Sequence, residues 1–227
     1  MKLTVVVTVY NEKNTIVRAI EEAKKIQLDK EIIVIDNCST DGTREILRSL
    51  KDNSLKVVYQ SKNYGYGTSV LTGMNLAQGE YLFIHNSDLE YDPVCVYKML
   101  DAAEKENLDV VFGSRLLGRR SESVLNIIKE RPFYLGTIIT TSLVNLFYGR
   151  NFADIIGNRL YRTAALKKIN PKEPAIGFDF EVVSKLCKFD FKIKEIPVKY
   201  SPRKKGKKVK VYDILPAILT ILKTRLS

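Results

Sequence analysis

With 227 residues, the chain has the length of one α/β domain, and its 45% hydrophobic residues suffice for a substantial core. Its three cysteines are widely spaced and form no CxxC pair, which excludes a zinc ribbon or a disulfide scaffold and favours the reducing cytoplasm. The apolar start is too short for a secretory signal. No apolar run reaches the roughly 18–20 residues of a spanning helix, so we expect a protein that does not cross a membrane.

The net charge of +11 is concentrated near the C-terminus. Residues 199–227 contain nine basic residues and one acidic residue, so +8 of the +11 lies in this segment. A basic surface over the whole domain would have favoured a nucleic-acid binder. A basic tail on a nearly balanced domain indicates a local anionic partner instead, and we expect no nucleic acid.

Strands and helices alternate through the first half of the chain. The predicted strands cover residues 3–9, 31–36, 55–60, 80–85 and 109–112, and helical spacing covers residues 14–26, 41–50, 67–77 and 93–106. Apolar strands that alternate with helices predict a parallel sheet covered on both faces. Ligands of such sheets lie beyond the carboxyl ends of the strands, so the polar residues that follow the strands are the candidate site residues.

The second half of the chain is less regular. It contains predicted helices over residues 132–148 and 178–188 and a late strand over residues 192–200. A basic loop over residues 201–210 then leads to an amphipathic segment over residues 212–226, for which Asp213 is a candidate cap.

Polar turns follow the first two predicted strands. Residues 8–12 read TVYNE and residues 36–43 read DNCSTDGT. Such residues are common in turns and helix caps, so each turn has a purely structural explanation. Both turns lie at one edge of the predicted sheet, however, and Asp36 ends an apolar strand. We therefore expect Asp36 to accept hydrogen bonds from the ribose hydroxyl or base N–H of a nucleoside.

A glycine-containing turn follows the third strand, where residues 63–67 read NYGYG. The spacing matches neither a P-loop nor a dinucleotide fingerprint. Glycines that open a helix let a phosphate or a sugar approach the backbone. We predict that Asn63 and Gly67 contact a nucleotide.

An acidic turn, NSDLEYDP, follows the fourth strand. Alternate residues of an extended segment point the same way, so Asn86, Asp88 and Glu90 would converge on one point. Their oxygens suit Mg²⁺ or Mn²⁺ bridging a diphosphate. The alternative to a metal site is that these acidic residues mark the start of a helix, a role that Asp92 fits in either case.

These segments together resemble the family-2 glycosyltransferases, and within them the dolichyl- or polyprenyl-phosphate sugar synthase-like branch. The resemblance covers residues 3–225 and rests on the order of VVVTVYNE, IDNCSTDGT, NYGYGTSVLTGMNLAQGEYLFIHNSDLEYDP, VVFGSRLLG, DIIGNRLYR, GFDFEVVSKL and IKEIPVKYSPR. It implies a GT-A fold with a Rossmann-like nucleotide-binding sheet. The expected organisation is a domain over residues 1–198, whose nucleotide-sugar half ends near residue 115 and whose acceptor-side half covers residues 116–198. A basic, amphipathic tail follows over residues 199–227.

The resemblance also implies roles for single residues. Tyr10, Glu12 and Asp36 would hold the nucleoside of a UDP- or GDP-sugar. Asp88 and Glu90 would bind Mg²⁺ or Mn²⁺ together with the diphosphate, and Asp88 counts among the catalytic residues.

Four further positions complete the implied site. Arg115, Arg131 and Arg203 would contact the diphosphate, because a planar guanidinium can bind two oxygens at once. Asp154 would face the reacting sugar or the acceptor. Asn86 departs from the family, which has aspartate there, so the metal site would be weaker than usual.

The implied reaction is an inverting, metal-dependent hexosyl transfer to a polyprenyl phosphate or another cell-envelope glycan precursor. A phosphate acceptor is already ionised, whereas a hydroxyl acceptor needs a base, for which Asp154 is the first candidate. Two alternatives stay open. One is a degenerate or non-catalytic nucleotide-sugar-binding module, and the other is a nucleotidyltransferase.

The tail suggests a location. Lysines 204, 205, 207, 208 and 210 precede a segment with an apolar helix face, which is typical of elements that bind anionic lipid surfaces. The alternative is that the lysines form a solvated loop and that the helix packs on its own domain. If the tail does bind lipid, we expect a peripheral protein on the inner face of the cell membrane.

Overall fold

The computed structural model describes residues 1–119, 121–203, 206 and 213–227. These residues form one sheet with helices on both faces. The strands are β1 (Leu3–Val9), β2 (Lys30–Asp36), β3 (Leu55–Tyr59), β4 (Tyr81–Asn86), β5 (Val110–Ser114), β6 (Asn158–Arg162) and β7 (Ile193–Pro197). The helices are α1 (Ile16–Lys24), α2 (Thr43–Ser49), α3 (Tyr66–Leu76), α4 (Cys95–Lys105), α5 (Val124–Glu130), α6 (Tyr134–Tyr148), α7 (Thr163–Ile169), α8 (Phe178–Lys188) and α9 (Ile214–Leu226), with a 3₁₀ turn at Leu117–Arg119.

The strand order across the described sheet is β3-β2-β1-β4-β6-β5-β7. β1 pairs in parallel with β2 and with β4, and β2 pairs in parallel with β3. This part confirms the predicted parallel α/β sheet. β6 is different, because it runs antiparallel to both β4 and β5. The five strands of the first half thus run in one direction, and β6 makes the sheet as a whole mixed.

The core lies on the two faces of the sheet, and alternate residues of β1 serve different faces. Val6 belongs to the core cluster that contains residues of α3, α6, α7, α8 and α9, whereas Val5 and Val7 belong to the cluster that contains residues of α1, α2 and α4. All seven residues of β1 are buried, which explains its continuous apolar sequence. At Gly73 on α3, an added Cβ would lie 2.5 Å from the side chain of Val6, so the absence of a side chain lets α3 lie directly on β1.

The C-terminal helix packs against α6 and α8 through Ala217 and Ile221. Asp213 holds its N-cap position but makes no capping hydrogen bond, so the predicted capping role is wrong. The predicted basic run, lysines 204, 205, 207, 208 and 210, lies outside the described residues, as does Tyr212. None of the described helices is long and apolar enough to cross a bilayer.

Candidate active site

A cavity of about 770 Å³ lies at the carboxyl ends of β1, β2 and β4, where the sheet geometry predicts a ligand site. Nine of the predicted site residues line it: Tyr10, Glu12, Asn63, Asn86, Asp88, Glu90, Arg115, Arg131 and Arg203. Asp36, Gly67 and Asp154 do not line it. The tertiary structure thus gathers residues from the first and last parts of the chain around one space.

Asp36 ends β2, but its carboxylate is fully buried and used within the protein. Arg44 of α2 donates from Nε at 2.5 Å, and the backbone N–H of Ser39 donates at 3.1 Å. Arg44 also donates to the backbone oxygen of Gln60 at 2.6 Å. In this arrangement Asp36 fixes α2 and the turn after β2, and its predicted contact with a nucleoside finds no support in its placement.

Gly67 also has a packing role. An added Cβ would lie 2.2 Å from the backbone oxygen of Glu173 and 2.8 Å from the Cβ of Phe178. The close approach that this glycine permits is therefore that of the segment leading into α8. Its predicted contact with a nucleotide finds no support in this geometry.

The acidic turn after β4 is not extended, because Leu89 has a left-handed backbone with φ of 59°. The expected alternation of Asn86, Asp88 and Glu90 is therefore broken. The Oδ1 of Asn86 accepts from the hydroxyl of Thr8 at 3.0 Å, and the Oδ1 of Asp88 accepts from the backbone N–H of Glu90 at 3.1 Å. No group of three or more His, Cys, Asp or Glu side chains in the described residues is arranged as a metal site.

Asp88 has a second carboxylate close by, that of Glu90. Burial raises the pKa of its carboxyl above the ordinary value, and the nearby charge of Glu90 raises it further. A bound cation would relieve both effects. The oxygens of Asp88, Glu90 and Asn86 are of the type that Mg²⁺ and Mn²⁺ prefer, so the residues present fit such an ion.

Glu90 holds the C-terminal segment over this acidic turn. Its two carboxylate oxygens accept from the hydroxyl of Tyr200 at 2.8 Å and from the backbone N–H of Arg203 at 3.0 Å. The backbone N–H of Ser201 donates to the backbone oxygen of Glu90 at 2.9 Å, and Tyr91 forms a β-bridge with Tyr200. The segment that follows β7 is thereby fixed at the cavity.

Arg203 is well placed for an anion. Its Nη1 donates to both carboxylate oxygens of Glu12, at 2.8 and 3.0 Å. Its Nε is buried without a hydrogen-bond partner among the residues that the structure describes. Because an orphaned buried donor is costly, a ligand oxygen at this position would stabilise the site.

Arg115 and Asp154 form a buried pair beside Tyr200. The Nε and Nη2 of Arg115 donate to the two carboxylate oxygens of Asp154 at 2.6 and 2.8 Å. The guanidinium also lies 5.4 Å from the ring centre of Tyr134 and 5.3 Å from that of Tyr200. Burial raises the pKa of Asp154, but the charge and hydrogen bonds of Arg115 outweigh it and hold this pKa below its ordinary value. Asp154 is thus a partner of Arg115, which itself lines the cavity.

Asp179, on the first turn of α8, is a cavity residue to which the sequence analysis gave no role. Its side chain is 13% exposed and forms an ion pair of 2.7 Å with the buried Arg159 of β6. Burial raises the pKa of this carboxyl above its ordinary value, although Arg159 opposes the effect. The sequence signal that could have identified Asp179 lies in the segment GFDFEVVSKL, where an acidic residue stands two positions after a glycine at a helix start.

Apolar side chains on and beside α6, α8 and α9 also line the cavity. They include Pro132, Phe133, Leu135, Ile156, Ile176, Phe180, Ile214 and Ala217. Phe133 and Leu135 are exposed at the start of α6. The cavity lining is therefore both charged and apolar.

The sequence of this chain is similar to those of sugar transferases. The model of the family described as "Glycosyl transferase family 2" matches residues 4–170. The low-salt glycan biosynthesis hexosyltransferase Agl6 of Haloferax volcanii is 28% identical over 205 residues, which are 88% of this chain and 48% of that protein. The undecaprenyl-phosphate 4-deoxy-4-formamido-L-arabinose transferase of Proteus mirabilis is 29% identical over 126 residues, 52% of this chain and 38% of that protein. The chain spans about half the length of these curated relatives or less.

Two solved structures share the fold. Glucosyl-3-phosphoglycerate synthase from Mycobacterium tuberculosis, in complex with Mn²⁺, UDP and phosphoglyceric acid, has a TM-score of 0.69 at 20% identity, covering 99% of this chain and 78% of that one. Mannosyltransferase PcManGT from Pyrobaculum calidifontis, in complex with GDP-Man and Mn²⁺, has a TM-score of 0.65 at 16% identity, covering 90% and 58%. The predicted GT-A fold is confirmed.

Proposed function

Because this chain belongs to glycosyl transferase family 2, we propose that it transfers a hexose from a UDP- or GDP-sugar to an acceptor, with inversion at the sugar's C1 carbon. One observation carries the proposal. Glu12, Asp88, Glu90 and Arg203 meet at one end of a cavity whose volume suits a sugar nucleotide. Family membership favours this reaction over nucleotidyl transfer.

The donor diphosphate would lie at the charged end of the cavity. Arg203 supports this placement through its buried Nε, which has no partner in the described part of the chain. Arg131 lines the same cavity and would contribute a second guanidinium. Arg115 is held by Asp154, so its positive charge is fixed in place before a ligand arrives.

Asp88, Glu90 and Asn86 would hold Mg²⁺ or Mn²⁺. Such an ion, when bound, would neutralise the diphosphate and stabilise it as a leaving group. The relatives' complexes with Mn²⁺ support the choice of metal. Tyr200 and Arg203 donate to different carboxylate oxygens of Glu90, so each of these oxygens keeps a lone pair for the ion.

The transfer itself would be a displacement at the sugar's C1 carbon. An acceptor oxygen attacks this carbon as the bond to the diphosphate oxygen breaks, and the nucleoside diphosphate leaves. For a hydroxyl acceptor, we assign the base to Asp179, because it lines the cavity and its raised pKa makes it more basic. Asp154 would act through Arg115, as a positioning residue.

The acceptor would be a polyprenyl phosphate or a cell-envelope glycan precursor. Three observations support this choice: the apolar residues that line the cavity, the basic residues at positions 204–210, and the undecaprenyl phosphate in the name of the Proteus mirabilis relative. On α9, Leu215 and Leu219 are exposed one turn apart, which provides an apolar face for docking at a lipid surface. The enzyme would then work as a peripheral protein on the inner face of the membrane.

A non-catalytic nucleotide-sugar-binding module is the second candidate. The observation that favours it is Asn86, whose side-chain oxygen is already bonded to Thr8. Donor hydrolysis and transfer assays distinguish the two functions. We expect Mn²⁺-dependent release of UDP or GDP from a matching sugar nucleotide, and we expect Asp179→Asn to keep donor binding while losing transfer to a hydroxyl acceptor. Binding without turnover, with every acceptor class supplied, would favour the module.

A further inference from the structure

The carboxylate of Glu195, on β7, holds the loop that carries Asp154. Its Oε2 accepts from the backbone N–H of Ala153 at 2.7 Å, and its Oε1 accepts from the backbone N–H of Asp154 at 2.8 Å. Both N–H groups belong to the loop between α6 and β6, outside every helix and strand of the described chain. Because each carboxylate oxygen takes one of two consecutive N–H groups, Glu195 fixes the direction in which this loop runs.

The same carboxylate also contacts the residue before Arg115. The hydroxyl of Ser114, the last residue of β5, donates to Glu195. β5 and β7 pair in parallel with Phe112 opposite Glu195, and Ser114 stands two positions further on the same face of the sheet. Glu195 therefore grips the chain on both sides of the buried pair, next to Arg115 and at Asp154 itself.

Asp154 passes this constraint to the guanidinium of Arg115. The backbone N–H and the Nε of Arg115 both donate to the Oδ2 of Asp154, at 2.9 and 2.6 Å, and its Nη2 donates to the Oδ1 at 2.8 Å. Such a two-pronged bond fixes the plane of the guanidinium as well as its position. Arg115 lines the cavity, so a shift of the loop at Asp154 would turn its guanidinium relative to a bound ligand.

We infer that Glu195 is a positioning residue for the transfer, which aims Arg115 at the diphosphate through Ser114 and the backbone of Asp154. The inference rests on the proposed function, in which the charge of Arg115 serves the donor diphosphate. Glu195 does not line the cavity, so it acts through Arg115 and not on the ligand. A preorganised charge is worth most where negative charge develops, here on the phosphate that leaves the sugar, and a small misplacement is costly.

Glu195→Gln tests the two-oxygen arrangement and keeps the size of the side chain. A glutamine has one oxygen, and its NH₂ group meets a backbone N–H where the carboxylate had an acceptor. Glu195→Asp keeps both acceptors but withdraws them by one methylene. Glu106→Gln is the matched control, because it removes the same charge from an exposed ion pair with Lys194, the neighbour of Glu195 on β7. Urea denaturation checks that each variant is folded.

The readout is the contribution of the terminal phosphate to binding. It is the calorimetric Kd of UMP divided by that of UDP, and of GMP divided by that of GDP, each with Mn²⁺, for whichever base binds more tightly. A general loosening of the cavity weakens both nucleotides alike and leaves this ratio unchanged. We expect Glu195→Gln to lower the ratio by about fivefold or more, Glu195→Asp to lower it less, and Glu106→Gln to leave it unchanged. If Glu195→Gln does not fold, Glu195→Asp carries the same comparison.

A second background separates positioning from a purely structural role. Arg115→Lys keeps a positive charge beside Asp154 but replaces the planar guanidinium with a single ammonium, so no fork remains to be aimed. In that background Glu195→Gln should change the ratio by less than about twofold, because residues that act through one another are not additive. An unchanged ratio in Glu195→Gln, or the same fall with and without Arg115→Lys, overturns the inference and leaves the proposed function standing. If the parent protein binds neither UDP nor GDP, the proposed function fails and the inference fails with it.

Discussion

Arg203 and Glu12, 191 positions apart in sequence, form an ion pair in which one guanidinium nitrogen lies 2.8 and 3.0 Å from the two carboxylate oxygens. Glu12 follows β1, whereas Arg203 follows β7 at the far edge of the sheet. The pair joins the first and last parts of the chain at the cavity. It also neutralises Glu12 when no donor is bound, and a donor diphosphate would compete with Glu12 for the same guanidinium.

Replacement of Arg203 tests whether this guanidinium binds the diphosphate. We expect Arg203→Gln to weaken UDP or GDP binding with Mn²⁺ at least tenfold, because a charge-assisted hydrogen bond is lost, and Arg203→Lys to restore only part of it. Calorimetry provides the measurement. Arg18→Gln is the control, since Arg18 is exposed and paired with Glu22 away from the cavity. Unchanged affinity in Arg203→Gln would contradict the assignment.

Two substitutions test the metal site, one that removes a carboxylate and one that adds a carboxylate. Asp88→Asn should abolish Mn²⁺-dependent turnover, because the buried carboxylate is lost. Asn86→Asp should tighten Mn²⁺ binding at least threefold, because it adds a second carboxylate beside Asp88. Titration with Mn²⁺ and activity after chelation measure these effects. Asp101→Asn, at an exposed ion pair on α4, should change neither, and full activity of Asp88→Asn in chelator would exclude the metal role.

The buried pair of Arg115 and Asp154 should contribute to the free energy of unfolding. Loss of one partner leaves an uncompensated buried charge, so we expect Asp154→Asn to lower the free energy of unfolding by about 3–5 kcal/mol at pH 7. Urea denaturation measures this loss. Asp190→Asn, which breaks the exposed pair with Arg150, is the control and should cost less than about 1 kcal/mol.

The same pair predicts a pH dependence of stability. Because Arg115 lowers the pKa of Asp154 in the folded protein, the stabilising contribution of Asp154 is fully present above its unfolded pKa of 3.8. It is lost as the pH falls through the lower folded value. The difference in unfolding free energy between the parent protein and Asp154→Asn should therefore shrink below pH 4. A difference that persists in acid would mean that packing, and not charge, accounts for it.

Vesicle binding tests the proposed membrane docking of the basic tail. The protein should sediment with anionic vesicles more than with neutral ones, and salt should release part of it. Changing Lys204, Lys205, Lys207 and Lys208 to Gln should reduce vesicle binding and leave donor binding nearly intact. The control removes the same charge from four exposed lysines elsewhere: Lys25, Lys51, Lys56 and Lys98. If the tail variant instead loses donor affinity and keeps its vesicle binding, these lysines serve the diphosphate.

The sequence alone determined the first four strands, the helices between them and the edge of the sheet where the site would lie. The reason is that these features are local. An apolar run of five to seven residues must be buried, and the polar turn that follows must lie at its carboxyl end. Glu12, Asn63 and Asp88 line one cavity, as this parallel arrangement leads one to expect, and their binding roles stay predictions.

Only the tertiary structure decided how these residues are used. β6, with the sequence NRLYR, has no apolar run to reveal it, and its buried Arg159 pairs with Asp179 and donates to the backbone oxygen of Ile155. Asp36 and Asp154 looked available for a ligand, yet arginines that the sequence pattern could not pair with them occupy both carboxylates. Burial and ion pairing depend on contacts between distant residues, and so they arise only once the chain has folded.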